Sequence, residues 1–351
     1  MRDLPRSTAL RVRMTALVLN ANFDRTPGES VGGKMVIMPV DATLQGILDA
    51  GNTSGAPRLE TMTVEEARAE RAAMMRRFVP MPEYAGVRVE ARTIAVEGRE
   101  IGVRIYRPEG ADGGLPVMTF FHGGGFVVCT LDTHDPYCRA LATEAKVMVV
   151  SVDYRLAPEN KFPAGVEDGL AATEWVLAHA GELGGDAGRV FVGGDSAGAT
   201  LATVVALLLR DRGEANRLAG QMLLYPVAGY YDPPTDSYLE MSEGYGLTRK
   251  GMQWFWDFYL NSRNEAKDFR AAPLMAESVA GLPRAFVVTA EYDVLRDEGQ
   301  AYARRMQAEG ADVTHVFAEG MNHGFAASPS EFPFLSQAKE MLRRVAGWIA
   351  G

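Results

Sequence analysis

Hydrophobic positions along this chain change period several times, and each change marks an element. Val87 to Val96 and Ile101 to Tyr106 alternate apolar and polar residues and are joined at Glu97-Gly98-Arg99-Glu100, the pattern of an antiparallel hairpin at a sheet edge. Further strands are predicted at 115–121, 147–152, 189–193, 221–225, 285–290 and 313–317, several of them unbroken apolar runs that only a sheet covered on both faces would bury. Helical segments separate them from residue 134 onward. Eight strands, mostly parallel, with right-handed crossovers placing helices on both faces, define an α/β fold.

Other segments lie outside that alternation. Asp41 is placed to cap a short helix whose Leu44, Ile47 and Leu48 share a face, with Gly51 just past its end. Thr63-Val64-Glu65-Glu66 is a capping box opening a second helix to about Phe78, with Val64, Ala67, Met74, Met75 and Phe78 on or near one side, before Pro80 and Pro82 end it. The stretch from Tyr225 to about Leu282 is long for a single crossover and rich in aromatics. Thr248 caps the helix that carries Trp254, Phe255, Trp256, Phe258 and Tyr259. Packing accounts for most of these rings, and one or two are expected to line a pocket. Residues 1–34 read as an irregular basic extension with Met14, Met35 and Met38 as internal starts; its apolar stretch Ala16-Leu17-Val18-Leu19 is too short for a signal-peptide core.

Composition narrows the classes. A chain of 351 residues is long for one domain, but a large α/β enzyme with an added cap accommodates it. The expected division is 1–34, the extension; 35–84, N-terminal cap helices; and 85–351, a catalytic domain with a cap insertion at about 226–282. A net charge of −9 argues against a nucleic-acid partner, which would require clustered Lys and Arg. No apolar run approaches a membrane span, so no stable membrane insertion is expected. Cys129 and Cys138 show no metal-ligand spacing and read as reduced thiols of a cytoplasmic protein, with no metal or cofactor implied.

The chemistry is concentrated at Gly194-Asp195-Ser196-Ala197-Gly198. The buried strand Arg189 to Gly193 arrives at this turn and the apolar helix Ala199 to Arg210 leaves it, the strand, turn and helix context that lifts a serine hydroxyl above the end of a sheet. A serine needs a base, and the base needs an orienting acid. Of five histidines, His122, His134, His179 and His315 have other duties or poorer settings. His323, just after the strand 313–317, is the base candidate. The strand Ala285 to Thr289 delivers Glu291, Tyr292 and Asp293 to its C-terminal end; Asp293 is chosen as the acid, with Glu291 and Asp297 as alternatives. Three glycines follow the buried strand 115–121 in His122-Gly123-Gly124-Gly125-Phe126. Amides of Gly123 and Gly124, with that of Ala197, are expected to form an oxyanion hole.

Taken together, His122 to Phe126, Asp153-Tyr154-Arg155-Leu156-Ala157-Pro158-Glu159, Gly194 to Gly198, Asp293 to Gly299 and His323-Gly324-Phe325 make the chain resemble the bacterial hormone-sensitive lipase-like esterases, family IV of the α/β-hydrolases. The resemblance runs from about residue 85 to the C-terminus. It implies Ser196, Asp293 and His323 as a catalytic triad, the same three amides as oxyanion donors, a cap built partly from the N-terminal helices, and a homodimer through the far edge strand. Val294, Ala199 and Cys129 depart from the family's usual proline, glycine and glycine. Asp153, Arg155 and Glu159 are expected to pair with one another and brace their loop. The function these features imply is a serine carboxylesterase for short- to medium-chain acyl esters. An amidase or aryl-formamidase using the same triad, and a non-catalytic small-ligand receptor, are the rival readings.

Overall fold

The computed structural model describes residues 37–76, 81–96, 98–111, 113–328 and 332–351. The predicted extension 1–34 and the predicted end of the second helix near Phe78 lie outside these residues. Eight strands form one sheet: β1 (Val87–Val96), β2 (Arg99–Pro108), β3 (Leu115–Phe121), β4 (Met148–Asp153), β5 (Gly185–Asp195), β6 (Gly220–Leu224), β7 (Ala285–Tyr292) and β8 (Val313–Asn322). Their order is β1-β2-β4-β3-β5-β6-β7-β8. Only the pairings made by β2 are antiparallel. The hairpin therefore sits at one edge, and the buried runs occupy the centre, as their hydrophobic pattern requires.

The period of two along each strand divides the core into two layers. Val117, Val150, Val190 and Val192 face helices α4 (Ala164–His179) and α5 (Ala197–Asp211), with Tyr302 of α8 (Arg296–Ala308) in the same layer. Met118, Phe120, Val149 and Phe191 point the other way, toward α3 (Asp135–Ala145) and α9 (Ser336–Ala350). Shifting any central strand by one residue would exchange its two faces, so the apolar pattern on both sides fixes the register.

Two segments depart from this framework and meet one another. The first contains α1 (Ala42–Thr53) and α2 (Val64–Arg76); the second contains α6 (Asp236–Glu240) and α7 (Arg249–Tyr259). Asp41 caps α1 through the amides of Thr43 and Leu44, but the helix runs through Gly51 to Thr53, and Gly55 at φ 70° supplies the left-handed turn that follows. The box at α2 forms as expected: Thr63 N–H donates to Glu66, and Glu66 N–H donates to the Thr63 hydroxyl. Trp254 Nε1 of α7 donates to Met62 O at 3.2 Å, Asn52 Nδ2 donates to Gly244 O at 3.2 Å, and Arg58 pairs with Glu243.

The expected mutual pairing of Asp153, Arg155 and Glu159 does not occur. Asp153 lies opposite Gly102 across the β2–β4 ladder and packs over it, away from Arg155. Arg155 instead makes a bidentate pair with buried Asp168 and also reaches Glu167. Glu159 takes both ends of the Arg68 guanidinium, and Arg68 also donates to Val127 O and Ala157 O. Arg68 thus ties α2 to the loop that follows β3.

Candidate active site

The site is assembled at the C-terminal ends of β3, β5, β6, β7 and β8. At the end of β5 the chain turns so sharply that Ser196 adopts φ 53° and ψ −122°, a conformation an L-residue holds at a cost of about 1–3 kcal/mol. Neighbouring contacts impose it. Ser196 N–H donates to Leu224 O of β6 at 2.8 Å, while Thr200, one helical turn later, donates from its amide to Ser196 O and from its hydroxyl to Val227 O. Gly194 and Gly198 flank the turn because a Cβ at either would run into the backbone of Phe121, so β3 could not approach. The N-terminus of α5 begins at Ala197, which aims the positive end of a fifteen-residue helix at the hydroxyl's surroundings.

The structure brings together the three residues proposed from the sequence. His323 Nε2 lies 2.9 Å from Ser196 Oγ, and His323 Nδ1 lies 2.8 Å from Asp293 Oδ2. β8 continues to Asn322, beyond the predicted end at 317, and so hands His323 directly to the site. Asp293 is almost fully buried, and its second oxygen accepts from Leu295 N–H at 2.9 Å. Both alternative acids are engaged elsewhere. Glu291 accepts from the amides of Met38 and Gly320, and Asp297 accepts from Ser237 N–H and the Arg296 guanidinium. The Tyr225 ring packs edge-on to His323 at 4.8 Å while its hydroxyl accepts from Ala327 N–H, bracing the loop that carries the histidine. No periodicity marks Tyr225 in the sequence; its place follows only from the pairing of β6 with β7.

One expectation at this site is corrected. The Gly123 amide does not face the cavity: it donates to Asp195 Oδ1 at 2.8 Å, in the buried layer beneath the loop. The cavity wall is formed by Gly124 and Gly125. Both have positive φ, 107° and 59°, and among the described residues neither their amides nor that of Ala197 donate to a protein acceptor. A carboxylate inside the loop captures the first glycine's amide, so the set facing Ser196 shifts by one residue. Asp195, adjacent to the serine, was visible in the sequence as an acid within an apolar turn. Its acceptor role depends on a fold that brings residues 72 positions apart together.

A cavity of about 330 Å³ opens above Ser196 and His323. Its far walls come from the two extra segments: Arg58, Leu59 and Arg71 from the first, and Leu247, Met252 and Phe255 from the second. Phe255 is the one residue of the aromatic group from α7 that reaches the lining, and it packs against Gly125. Phe126 stacks on Tyr259 with centroids 3.9 Å apart, and Tyr230 and Trp256 pack on each other. Cys129 also lines the cavity, with φ 71° and a thiol that burial pushes above its ordinary pKa. Among the described residues no group of His, Cys, Asp and Glu is arranged to hold a metal ion.

A serine hydroxyl, an imidazole and a buried carboxylate in hydrogen-bonded series, facing free amides of a glycine loop and of a helix N-terminus, form a constellation for acyl transfer. The family model for the α/β-hydrolase fold matches residues 118–327, so the chain belongs to the α/β-hydrolases, in their hormone-sensitive lipase-like branch. It is a serine carboxylesterase. The carboxylic ester hydrolase LipN of Mycobacterium tuberculosis is 37% identical over 315 residues, covering 86% of this chain and 82% of LipN. The carboxylesterase NlhH of the same species is 39% identical over 280 residues, covering 78% and 86%. A thermostable esterase from Pseudomonas putida superposes with a TM-score of 0.84 at 36% identity, covering 90% of this chain and 98% of that one. These relatives do not favour the amidase or receptor readings.

Proposed function

We propose that Ser196, His323 and Asp293 carry the reaction and that it is tuned to short- and medium-chain acyl esters. His323 Nε2 accepts the Ser196 proton as the hydroxyl oxygen attacks the ester carbonyl. Asp293 accepts from Nδ1 and stabilises the imidazolium that forms. The amides of Gly124, Gly125 and Ala197 receive the developing oxyanion, His323 returns its proton to the departing alcohol, and water repeats the sequence on the acyl-enzyme. The observation that carries the assignment is the unbroken series Asp293–His323–Ser196 at 2.8 and 2.9 Å.

Chain-length preference rests on the cavity. About 330 Å³ lies at the small end of ligand pockets, and helices from both extra segments wall it. We read 35–84 and 226–282 as a cap over a catalytic domain spanning 85–351. A relative from Pseudomonas putida, 37% identical over 233 residues, is named ethyl acetate hydrolase, which supports small esters. No helix among the described residues is long and apolar enough to cross a membrane, and the unbridged thiols of Cys129 and Cys138 support a cytoplasmic setting.

The test is hydrolysis of p-nitrophenyl esters from acetate to palmitate by the parent protein and Ser196→Ala. The expected profile peaks at or below octanoate, and the variant loses about 10⁵-fold or more in kcat. A palmitate optimum would overturn the chain-length reading; residual activity in the variant near the parent's would overturn the nucleophile.

A further inference from the structure

Asp195 presents an electrostatic problem that acyl transfer by itself does not explain. Its carboxylate is buried, belongs to the residue preceding the nucleophile, and so places a negative charge close to where the oxyanion must develop. Burial pushes its pKa up, yet the neighbouring His134 charge and hydrogen bond, together with the Gly123 amide, outweigh that and hold it below the usual carboxylate range.

His134 immediately precedes α3, and its ring is as buried as the carboxylate. Nε2 lies 3.2 Å from Asp195 Oδ1 and 3.4 Å from Oδ2, and Nδ1 lies 2.9 Å from the Thr133 hydroxyl. That hydroxyl donates to Thr130 O at 2.8 Å and accepts from Thr130 N–H at 3.0 Å. A carbonyl only accepts, so the single hydroxyl proton is committed and the Thr133 oxygen can only accept from Nδ1. Asp195 is likewise an acceptor. The hydrogen-bond set therefore asks both nitrogens of His134 to donate. The neighbouring His122 ring, with its centroid 5.6 Å away, is held neutral: burial, then the His134 charge, lowers its pKa to about 4. His122 Nδ1 lies 2.7 Å from Gly123 O, so the Gly123 residue is clamped at both its amide and its carbonyl, while the next two amides are free.

We propose that His134 is a positioning residue for the oxyanion-binding loop. It holds Asp195 so that the carboxylate grips the Gly123 amide, which turns the Gly124 and Gly125 amides into the cavity, and it offsets the Asp195 charge beside the oxyanion. The proposal rests on the acyl-transfer reading above and extends it to a residue whose hydrogen bonds run to Asp195 and Thr133 and not to the nucleophile.

The test compares the parent with His134→Leu, which fills the ring's space without a donor, and His134→Gln, whose amide nitrogen can take the place of Nε2. Two quantities are read: kcat and KM on p-nitrophenyl butyrate, and the inhibition constant of an alkyl trifluoromethyl ketone, whose serine hemiketal places an oxyanion on the same amides. Loss of the equivalent of one oxyanion donor corresponds to about a 10²-fold fall in kcat for His134→Leu, with KM within about twofold. The ketone's inhibition constant should rise by a matching factor, and His134→Gln should recover at least about tenfold of the loss. A purely structural role would lower thermal stability and leave these two quantities uncoupled. Parent-like kcat and ketone affinity in folded His134→Leu would overturn the proposal. If that variant does not fold, His134→Asn, whose amide stops short of Asp195, is read in the same way. Failure of the parent itself to bind the ketone would instead overturn the acyl-transfer reading.

Discussion

At the scale of single residues, the glycine loop shows why a run of identical residues cannot be assigned by sequence alone. Gly123, Gly124 and Gly125 are equivalent as letters, and what distinguishes them is Asp195, which captures the first amide. The hydrogen-bonded series Asp293–His323–Ser196, proposed as the triad, was more legible, because each member stands at the end of a strand marked by its apolar pattern. Cys129 is a second residue-level case. At φ 71° its left-handed backbone costs an L-residue roughly 1–2 kcal/mol, which Cys129→Gly would relieve. Greater unfolded-state freedom and the lost buried thiol offset most of that gain. Cys129→Gly should therefore stay within about 1 kcal/mol of the parent in urea unfolding, whereas β-branched Cys129→Val should lose about 2 kcal/mol or more. Equal stability of the Val variant would show the backbone to be unstrained. Burial also favours the neutral thiol, pushing its pKa above the ordinary cysteine value. Alkylation by iodoacetamide should accordingly be slower at pH 7.5 than that of an exposed cysteine and accelerate as the pH is raised, with activity lost in step because Cys129 lines the cavity.

At the scale of elements, the eight strands could be read from the sequence because a parallel sheet covered on both faces admits only apolar runs. What the sequence did not reveal was how far each strand continues, since polar strand ends take partners that no local pattern announces. β8 runs five residues past the predicted end at 317, to Asn322, because Gly320 N–H donates to Glu291 and Gly320 O accepts from Asp41 N–H. The Asp153 to Glu159 loop failed for the same reason: its acidic and basic groups find partners on α4 and α2. The first turn of α8 carries a consequence for pH. Glu298 is buried there, and its Oε1 accepts from the amides of Ala228 and Gly229, fixing the chain as it leaves β6 for the segment that carries α6 and α7. Its Oε2 is buried, and the neighbouring Tyr238 hydroxyl favours the charged form only weakly. Burial pushes its pKa up to about 8, with the Asp293 charge adding to the effect. Between the ordinary value of 4.5 and about 8, the folded protein keeps a proton that the unfolded chain has released, so stability falls as pH rises through that window. Glu298→Gln retains the acceptor and removes the titration. It should melt at least about 3 °C above the parent at pH 9, with the difference shrinking toward pH 5. A gap that stays constant with pH would show that Glu298 is not the group responsible.

For the molecule as a whole, the cavity depends on how the two extra segments meet the sheet, and this was the part least visible in the sequence. The aromatic helix α7 could be read as amphipathic, but not which ring would enter the site, because Trp254, Phe255, Trp256 and Tyr259 are all buried. The fold decides it: Trp254 is held by Met62 O and Tyr259 stacks on Phe126, which leaves Phe255 over Gly125 at the cavity wall. Phe255 therefore joins α7 to the glycine loop and, in the proposed reading of these as cap and oxyanion loop, limits the room for an acyl chain. Truncation to alanine should have two separable effects. The loop loses a packing partner, so kcat falls for every ester. The cavity deepens, so longer chains lose less. Burying one more methylene contributes about 0.8 kcal/mol, or roughly fourfold in kcat/KM. If two further methylenes are accommodated, the octanoate-to-acetate ratio of kcat/KM should rise by about tenfold or more in Phe255→Ala. Because the ratio cancels the common loss from the loop, it reads pocket depth alone. An unchanged ratio would place the acyl chain along another wall of the cavity, and the Leu247 and Met252 side would then set the limit.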